Sequence, residues 1–294
     1  MNTKMILMGI SDEAGALMKV QIRATRELGW NYIEARSVEV PGFPKANIHD
    51  LPQEAFNIVE RQLEDSGVGV YCFGSTIGNW AKKITQPFEP TLEEVARAIE
   101  RMQILGTRYI RVMSFAVEEG AEQYEEERFR RMREITRRFL DAGITPLHEN
   151  CMNYGGMSPA HALRLLENVP GLRWVYDTGN PIFNTDRSKP EPQPKQDGWE
   201  FYQQVKPFID HVHVKDAYWD AEKNEAVYTF PGEGQGYVKE ILSDLKKSGY
   251  DKGVSIEPHI AVVFHDASVS ASAERQYRSY VEYGERLKKL IETI

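Results

Sequence analysis

The chain has 294 residues, 41% of them hydrophobic and 27% charged, with a formal net charge of -8 and a pI near 5.5. That composition suits a soluble globular protein with a substantial core, and the acidic balance argues against a surface built to neutralise nucleic-acid phosphates. The only cysteines, Cys72 and Cys151, exclude a disulfide framework and a thiolate zinc site, and they point to a reduced, cytoplasmic setting.

The run from Met1 to Ile10 is too short for a signal peptide, and no later segment approaches the roughly 20 apolar residues of a membrane span. Met5 to Ile10 reads as a first strand, followed by helical spacing from Ala14 to Leu28 that Gly29 ends. Asn31 to Val38 is strand two, alternating Ile33 and Ala35 against Glu34 and Arg36, and a helix runs from about Pro52 to Ser66. Strands three and four are Gly67 to Ser75 and Arg108 to Phe115, followed by helices over Thr91 to Leu105 and Glu122 to Ala142. Strands five and six are Ile144 to Asn150 and Leu172 to Asp177, with helices Ser158 to Asn168 and Trp199 to Val205. Strand seven, Ile209 to Lys215, precedes helix Val238 to Lys247. Strand eight, Gly253 to Glu257, precedes a helix from about Ser270 to Ile291. Eight strand–helix units imply a parallel sheet, and the absence of a glycine-rich phosphate turn after strand one favours a closed (β/α)8 barrel in a single domain over an open doubly wound sheet.

Strand seven carries an unusual pattern. In His211-Val212-His213-Val214-Lys215-Asp216, period-two alternation puts His211, His213 and Lys215 on one face and the valines on the other. Barrel active sites sit at the C-terminal strand ends. Glu149, Asp177, His213 and Glu257 all fall there, on four consecutive strands. Converging carboxylates repel one another and raise one another's pKa, so a bound divalent ion is expected. Three oxygens and one imidazole suit Mn, Mg, Co or Fe, with Zn as a further option.

The set His148-Glu149-Asn150, Tyr176-Asp177-Thr178-Gly179-Asn180, His211 to Asp216, Pro231-Gly232-Glu233-Gly234 and Ile256-Glu257-Pro258 resembles the xylose-isomerase-like sugar phosphate isomerase/epimerase superfamily. That group spans ketose 3-epimerases, hydroxypyruvate isomerases, inosose isomerases and dehydratases, and apurinic-site endonucleases. The resemblance implies a TIM barrel with Glu149, Asp177, His213 and Glu257 as metal ligands. It also implies Glu149 and Glu257 as the acid/base pair of an enediolate reaction on a sugar or keto-polyol. A metal-dependent dehydratase and a non-catalytic sugar-binding barrel are the alternatives. Asn180 stands where ketose epimerases carry a histidine and Trp219 where they carry an arginine, which implies a substrate unlike simple free ketoses. Strands three and four lack the extra histidines of the endonucleases.

Lys215 is expected to hold a substrate oxygen, the alternative being a pair with Asp216. His211, one layer deeper, reads as a hydrogen-bonded neighbour. Glu34 and Arg36 form either a buried ion pair or a substrate clamp, and Arg111, low on strand four, reads as a structural ion pair. Trp80 and Trp219 wall the substrate or cover loops. Glu233 positions the loop after strand seven near the substrate, and the proline-rich segment from Pro181 to Gly198 is a lid or a static insertion. The expected partner is a small sugar or polyol, not nucleic acid or membrane, with homo-oligomerisation left open.

Overall fold

The computed structural model describes residues 5–261 and 271–294. Eight strands form one sheet: β1 (Ile6–Gly9), β2 (Tyr32–Ala35), β3 (Gly69–Gly74), β4 (Tyr109–Val112), β5 (Thr145–Glu149), β6 (Arg173–Asp177), β7 (Ile209–Val214) and β8 (Gly253–Ile256). Their spatial order is β1-β8-β7-β6-β5-β4-β3-β2, every ladder is parallel, and a bridge between Ile10 and Glu34 closes the ring. The expected (β/α)8 barrel is therefore the observed architecture.

The helices between strands are α1 (Met18–Glu27), α2 (Gln53–Ser66), α3 (Glu89–Leu105), α4 (Glu125–Asp141), α5 (Pro159–Asn168), α6 (Gly198–Val205), α7 (Val238–Lys247) and α8 (Ala273–Thr293). Each turns an apolar stripe toward the outer face of the sheet, where Ile33, Ile110, Trp174, Val212, Val214 and Val254 are buried. The inner face is the unusual one. Glu34, His211, His213 and Ser255 are fully buried inside the ring, where valines and leucines are the norm.

The expected bounds hold to within a few residues. Ser270, the expected start of the last helix, and residues 1–4 of the N-terminal run lie outside the described residues. Besides four single 3-10 turns, three elements among the described residues were not anticipated: an antiparallel ribbon of Asp216–Asp220 with Glu225–Thr229, a short one of Ser37–Val38 with Ala46–Asn47, and one helical turn at Asn180–Phe183. All three follow C-terminal strand ends, so all crowd the barrel mouth. No helix among the described residues is long and apolar enough to cross a membrane.

Candidate active site

Sheet register sets the site. His213 on β7 pairs with Asp177 on β6 and with Ser255 on β8, while Glu149 ends β5 and Glu257 follows β8. One ligand atom from each of Glu149, Asp177, His213 and Glu257 lies within 4.8 Å of the others, and all four residues are buried. Asp177 Oδ1 accepts the backbone N–H groups of Gly179 at 2.8 Å and Asn180 at 2.7 Å. Asp177 Oδ2 and His213 Nδ1 make no directed hydrogen bond, although Lys215 Nζ is 2.9 Å from Oδ2 and Glu149 Oε1 is 3.4 Å from Nδ1. Once Nδ1 has lost its proton, these two atoms beside two glutamate oxygens are a donor set that fits a hard or borderline divalent cation.

Glu34 holds the far side of the imidazole. Its Oε2 accepts from His213 Nε2 at 3.0 Å, His211 Nε2 at 2.9 Å and Ser255 Oγ at 2.7 Å. With Nε2 committed to Glu34, Nδ1 is the nitrogen left for the ligand set, a common outer-shell arrangement. Gly253 makes room for this network, because a Cβ there would stand 2.3 Å from His211 Nδ1. Arg36 donates through Nε to Asp12 at 3.1 Å and through Nη1 to Glu257 at 3.0 Å, with Glu13 at 3.4 Å. Arg111 Nη1 donates to Glu149 Oε2 at 3.1 Å, and Lys215 Nζ to Glu257 Oε2 at 2.8 Å. Asn180 Nδ2 donates to Glu149 Oε1 at 3.3 Å.

Six buried carboxylates (Asp12, Glu13, Glu34, Glu149, Asp177 and Glu257) thus face three buried cations (Arg36, Arg111 and Lys215). In the absence of an ion, protons absorb the surplus. Burial, with Glu257 and Asp12 nearby, pushes Glu13 up to about 8, and burial, reinforced by Glu257 and Glu149, raises Asp177 to about 7. For His213, burial opposes the charged ring, but Glu34 and Glu149 outweigh it and raise the ring to about 10. Against burial, Lys215, His259 and Arg36 hold Glu257 well below the usual carboxylate range, and Arg111 and His213 lower Glu149.

Several expectations need correction. Lys215 does not pair with Asp216; its ammonium bridges Asp177 and Glu257. Asp216 instead accepts N–H groups from Gly232 at 2.8 Å, Gly234 at 3.0 Å, Gly236 at 2.9 Å and Ala217 at 3.0 Å. The Pro-Gly-Glu-Gly loop is therefore tied down by its glycine amides. Glu233, expected to position this loop, is exposed; it accepts from Thr229 Oγ1 at 3.3 Å and pairs with Arg286. Trp219 lies half-buried on the ribbon, 3.6 Å from Lys195 Nζ, and does not line the chamber beside the ligand set. Arg36 and Glu34 are not partners of each other. Arg111 is mid-strand, yet its long side chain carries the guanidinium up to Glu149.

Asp12, Glu13 and His259 had not been singled out. His259 donates its backbone N–H to Glu13 Oε2 at 2.9 Å, stacks on Tyr228 and has φ 52°, a conformation uncommon outside glycine. The chamber itself holds about 30 Å³ and is lined by Arg36, Arg111, Glu149, Lys215 and Glu257 among others. It adjoins a cavity of about 390 Å³ that shares Trp80, Cys151, Met152 and Phe183 with it. A larger surface depression, about 1180 Å³ and rimmed by Glu119, Glu122 and Glu125, contains none of Glu149, Asp177, His213 and Glu257. Convergent buried groups, rather than volume, locate the chemistry.

Fold and cluster together define a (β/α)8 barrel with buried carboxylates and a histidine gathered at its C-terminal mouth. The chain belongs to the xylose isomerase-like TIM barrel family, whose family model matches residues 22–287. Among solved structures it resembles the probable 3-DHS dehydratase AsbF of Bacillus anthracis (18% identity, TM-score 0.69, covering 97% of this chain and 98% of that one). It also resembles a D-tagatose 3-epimerase-like protein (19%, TM-score 0.67, 97% of each chain). A third is a xylose isomerase-like TIM barrel protein from Mycobacterium smegmatis in complex with magnesium (17%, TM-score 0.65, 98% and 97%). At these identities the likeness is one of fold. Comparison with curated protein sequences gives no match.

Proposed function

We propose that the protein is a divalent-metal-dependent isomerase or epimerase of a sugar-like carbonyl compound, with Glu149, Asp177, His213 and Glu257 as ligands. The observation that carries this reading is the convergence of one buried ligand atom from each of Glu149, Asp177, His213 and Glu257 within 4.8 Å at the barrel mouth. A bound Mg, Mn, Co, Fe or Zn ion supplies Lewis acidity that eases loss of a proton next to a carbonyl.

Glu149 and Glu257 reach the cluster from β5 and β8, so one removes the substrate proton and the other returns it. Their pKa values are lowered by Arg111 and Lys215 respectively, so both are ionised at neutral pH and the returning carboxyl must first gain a proton. Asn180 holds Glu149 in orientation, and Lys215 and Arg36 hold Glu257. The loop 181–198 contributes Phe183, Asn184 and Thr185 to the larger cavity and is fastened by Gln196 Nε2 donating to the Gly156 carbonyl at 2.8 Å; a lid that excludes water fits this placement. A single barrel domain, a reducing cytoplasmic setting for the free buried Cys72 and Cys151, and a small-molecule partner complete the reading.

One observation favours a second reading, a dehydratase. Lys215 places an ammonium 2.8 Å from Glu257, where it can protonate a departing hydroxyl, whereas His211 is held deeper by Glu34 and Ser255. Incubation of the metal-loaded protein in deuterated water with ketoses, inososes and keto-sugars, followed by NMR, separates these. Deuterium exchange that vanishes in Glu257→Gln supports proton transfer, and the product distinguishes epimer, isomer and dehydrated compound. Stoichiometric metal without exchange leaves a sugar-binding barrel.

A further inference from the structure

Glu257 lies one residue past the end of β8, with its N–H still donating to the Val214 carbonyl at 3.0 Å, and Pro258 after it has no N–H to give. Its backbone is leaving the sheet there, so the aim of its carboxylate depends on side-chain partners. Two hold it: Lys215 Nζ donates to Oε2 at 2.8 Å and Arg36 Nη1 to Oε1 at 3.0 Å. The lysine is a point charge on a flexible stem and is shared with Asp177, whereas a guanidinium is planar and presents its donors in fixed directions. Arg36 is therefore the partner that sets the orientation of Glu257.

Arg36 is in turn gripped by Asp12, the middle residue of the turn Ser11–Glu13 that follows β1. Its Nε donates to both Asp12 oxygens at 3.1 Å and its Nη2 lies 3.0 Å from Oδ1, while Glu13 Oε1 accepts from Nη2 at the longer distance of 3.4 Å. Asp12 is itself fixed, because Oδ2 accepts from the Ser37 N–H at 3.2 Å and from the Ser37 hydroxyl at 2.5 Å. In a rigid planar group, a carboxylate seated on the Nε edge decides where Nη1 points. Asp12 is buried and does not line the chamber beside the ligand set, whereas Arg36 and Glu257 do. Its route to the chemistry runs through Arg36.

We propose that Asp12 is a positioning residue for Glu257: by gripping Arg36 it holds the Glu257 carboxylate at the angle from which that group exchanges a proton with the substrate. The proposal rests on the proton-transfer reading above and adds the loop after the first strand to the residues that serve it. Glu13 makes a parallel contact with the same segment. Its Oε2 accepts the N–H of His259 at 2.9 Å, two residues beyond Glu257, where φ is 52°. Asp12 thus steers the side chain and Glu13 the backbone. Such steering matters because a catalytic group has to be held to within about 0.5 Å, and a misplacement of about 1 Å can cost roughly 100-fold in rate.

Two readouts test this, and the first does not depend on turnover. Crystal structures of the metal-free wild type and Asp12→Asn are compared. The amide matches the carboxylate in shape but sets an NH2 group against N–H donors, so the guanidinium is expected to swing away and the Glu257 carboxylate to move by about 0.5 Å or more. An unmoved Glu257 carboxylate overturns the proposal. The second readout is deuterium exchange by the metal-loaded protein with ketoses, inososes and keto-sugars. At saturating substrate the rate per folded, metal-loaded molecule is expected to fall about 10- to 100-fold in Asp12→Asn, with KM changed by less than about threefold, whereas a merely structural role would leave that rate intact. Ser37→Ala removes one hydrogen bond to Asp12 and no charge. It is expected to shift both readouts the same way by a smaller amount, and it serves in place of Asp12→Asn should that variant not fold. Arg36→Gln is expected to lose at least as much rate as Asp12→Asn. A larger loss in Asp12→Asn than in Arg36→Gln overturns the proposal, as does full rate in both Asp12→Asn and Ser37→Ala. A wild type that exchanges with no compound fails differently, since it removes the proton-transfer reading while the crystal structures still decide whether Asp12 positions Glu257.

Discussion

Replacing Glu34 by glutamine tests the link from barrel interior to site. Glu34 Oε2 accepts three hydrogen bonds, from His211, His213 and Ser255. The amide oxygen preserves at most these three as neutral bonds, each weaker by about 1 kcal/mol than its charge-assisted counterpart, so folding stability should fall by about 3 kcal/mol. Ion binding should respond in two opposed ways. Loosening an outer-shell partner of a ligand histidine costs about 10- to 100-fold in metal affinity. Losing the negative charge also lowers the His213 pKa from about 10, which reduces the competing proton. The sign follows from linkage. In wild type the imidazolium must give up its Nδ1 proton, so affinity climbs by up to about tenfold per pH unit below that pKa, and Asp177 adds a second proton below about pH 7. Magnesium titrations between pH 6 and 9, in buffers of different ionisation enthalpy, should therefore show two signatures in the variant: weaker binding at pH 9 and a shallower pH dependence with fewer protons released. Unchanged affinity together with unchanged proton release would refute the placement of Glu34 behind His213.

Three further outcomes are expected. Asp216→Asn puts an NH2 group against two of the four backbone N–H donors now held by the carboxylate, so two charge-assisted bonds are lost and stability should drop by about 3–5 kcal/mol in urea denaturation; a loss under about 1 kcal/mol would show that the glycine loop does not depend on this anchor. His148, fully buried against Trp174 and hydrogen-bonded to Ser114 Oγ, is pushed down to about 3 chiefly by burial. Its neutral form therefore contributes stability that is complete above about pH 6.5 and drains as pH falls toward 3, so wild type should lose about 2 kcal/mol relative to His148→Gln between pH 6.5 and 5, and parallel curves would contradict it. Glu149→Gln should keep the fold yet abolish deuterium exchange and weaken metal binding, and retained exchange would remove Glu149 from the proton-transfer pair.

The convergence of four side chains was legible because a strand's period of two and the rule that barrel chemistry sits at C-terminal strand ends are both local facts. His213, Asp177, Glu149 and Glu257 needed nothing else. The same rule applied to the first strand would have found Asp12 and Glu13, which follow Gly9 and Ile10 just as Glu257 follows Ile256; the acids there read as polar loop only because no motif drew attention to them. Arg111 does form the buried ion pair expected of it, but at the mouth rather than low on its strand. Strand position fixes a Cβ, and a guanidinium at the end of a long flexible stem is then found wherever a buried carboxylate will have it, here at Glu149 Oε2, 3.1 Å away. Glu233 shows the converse. In Pro231-Gly232-Glu233-Gly234 the charged side chain attracted the functional expectation, but the glycine N–H groups carry the contact, converging on Asp216, and a Cβ on Gly234 would stand 2.3 Å from its Oδ1. The deeper pattern is one of charge. Alternation predicted that His211, His213 and Lys215 share a face, but not that six carboxylates from five chain segments would meet three cations in one buried network. Such a network is balanced by protons or by a cation, and Glu13, Asp177 and His213, all raised, are the groups on which protons would sit. Under the proposed metal-dependent reading such a site would exchange protons for a divalent ion, and Lys215, seated between Asp177 and Glu257, is the group whose environment that exchange would change most.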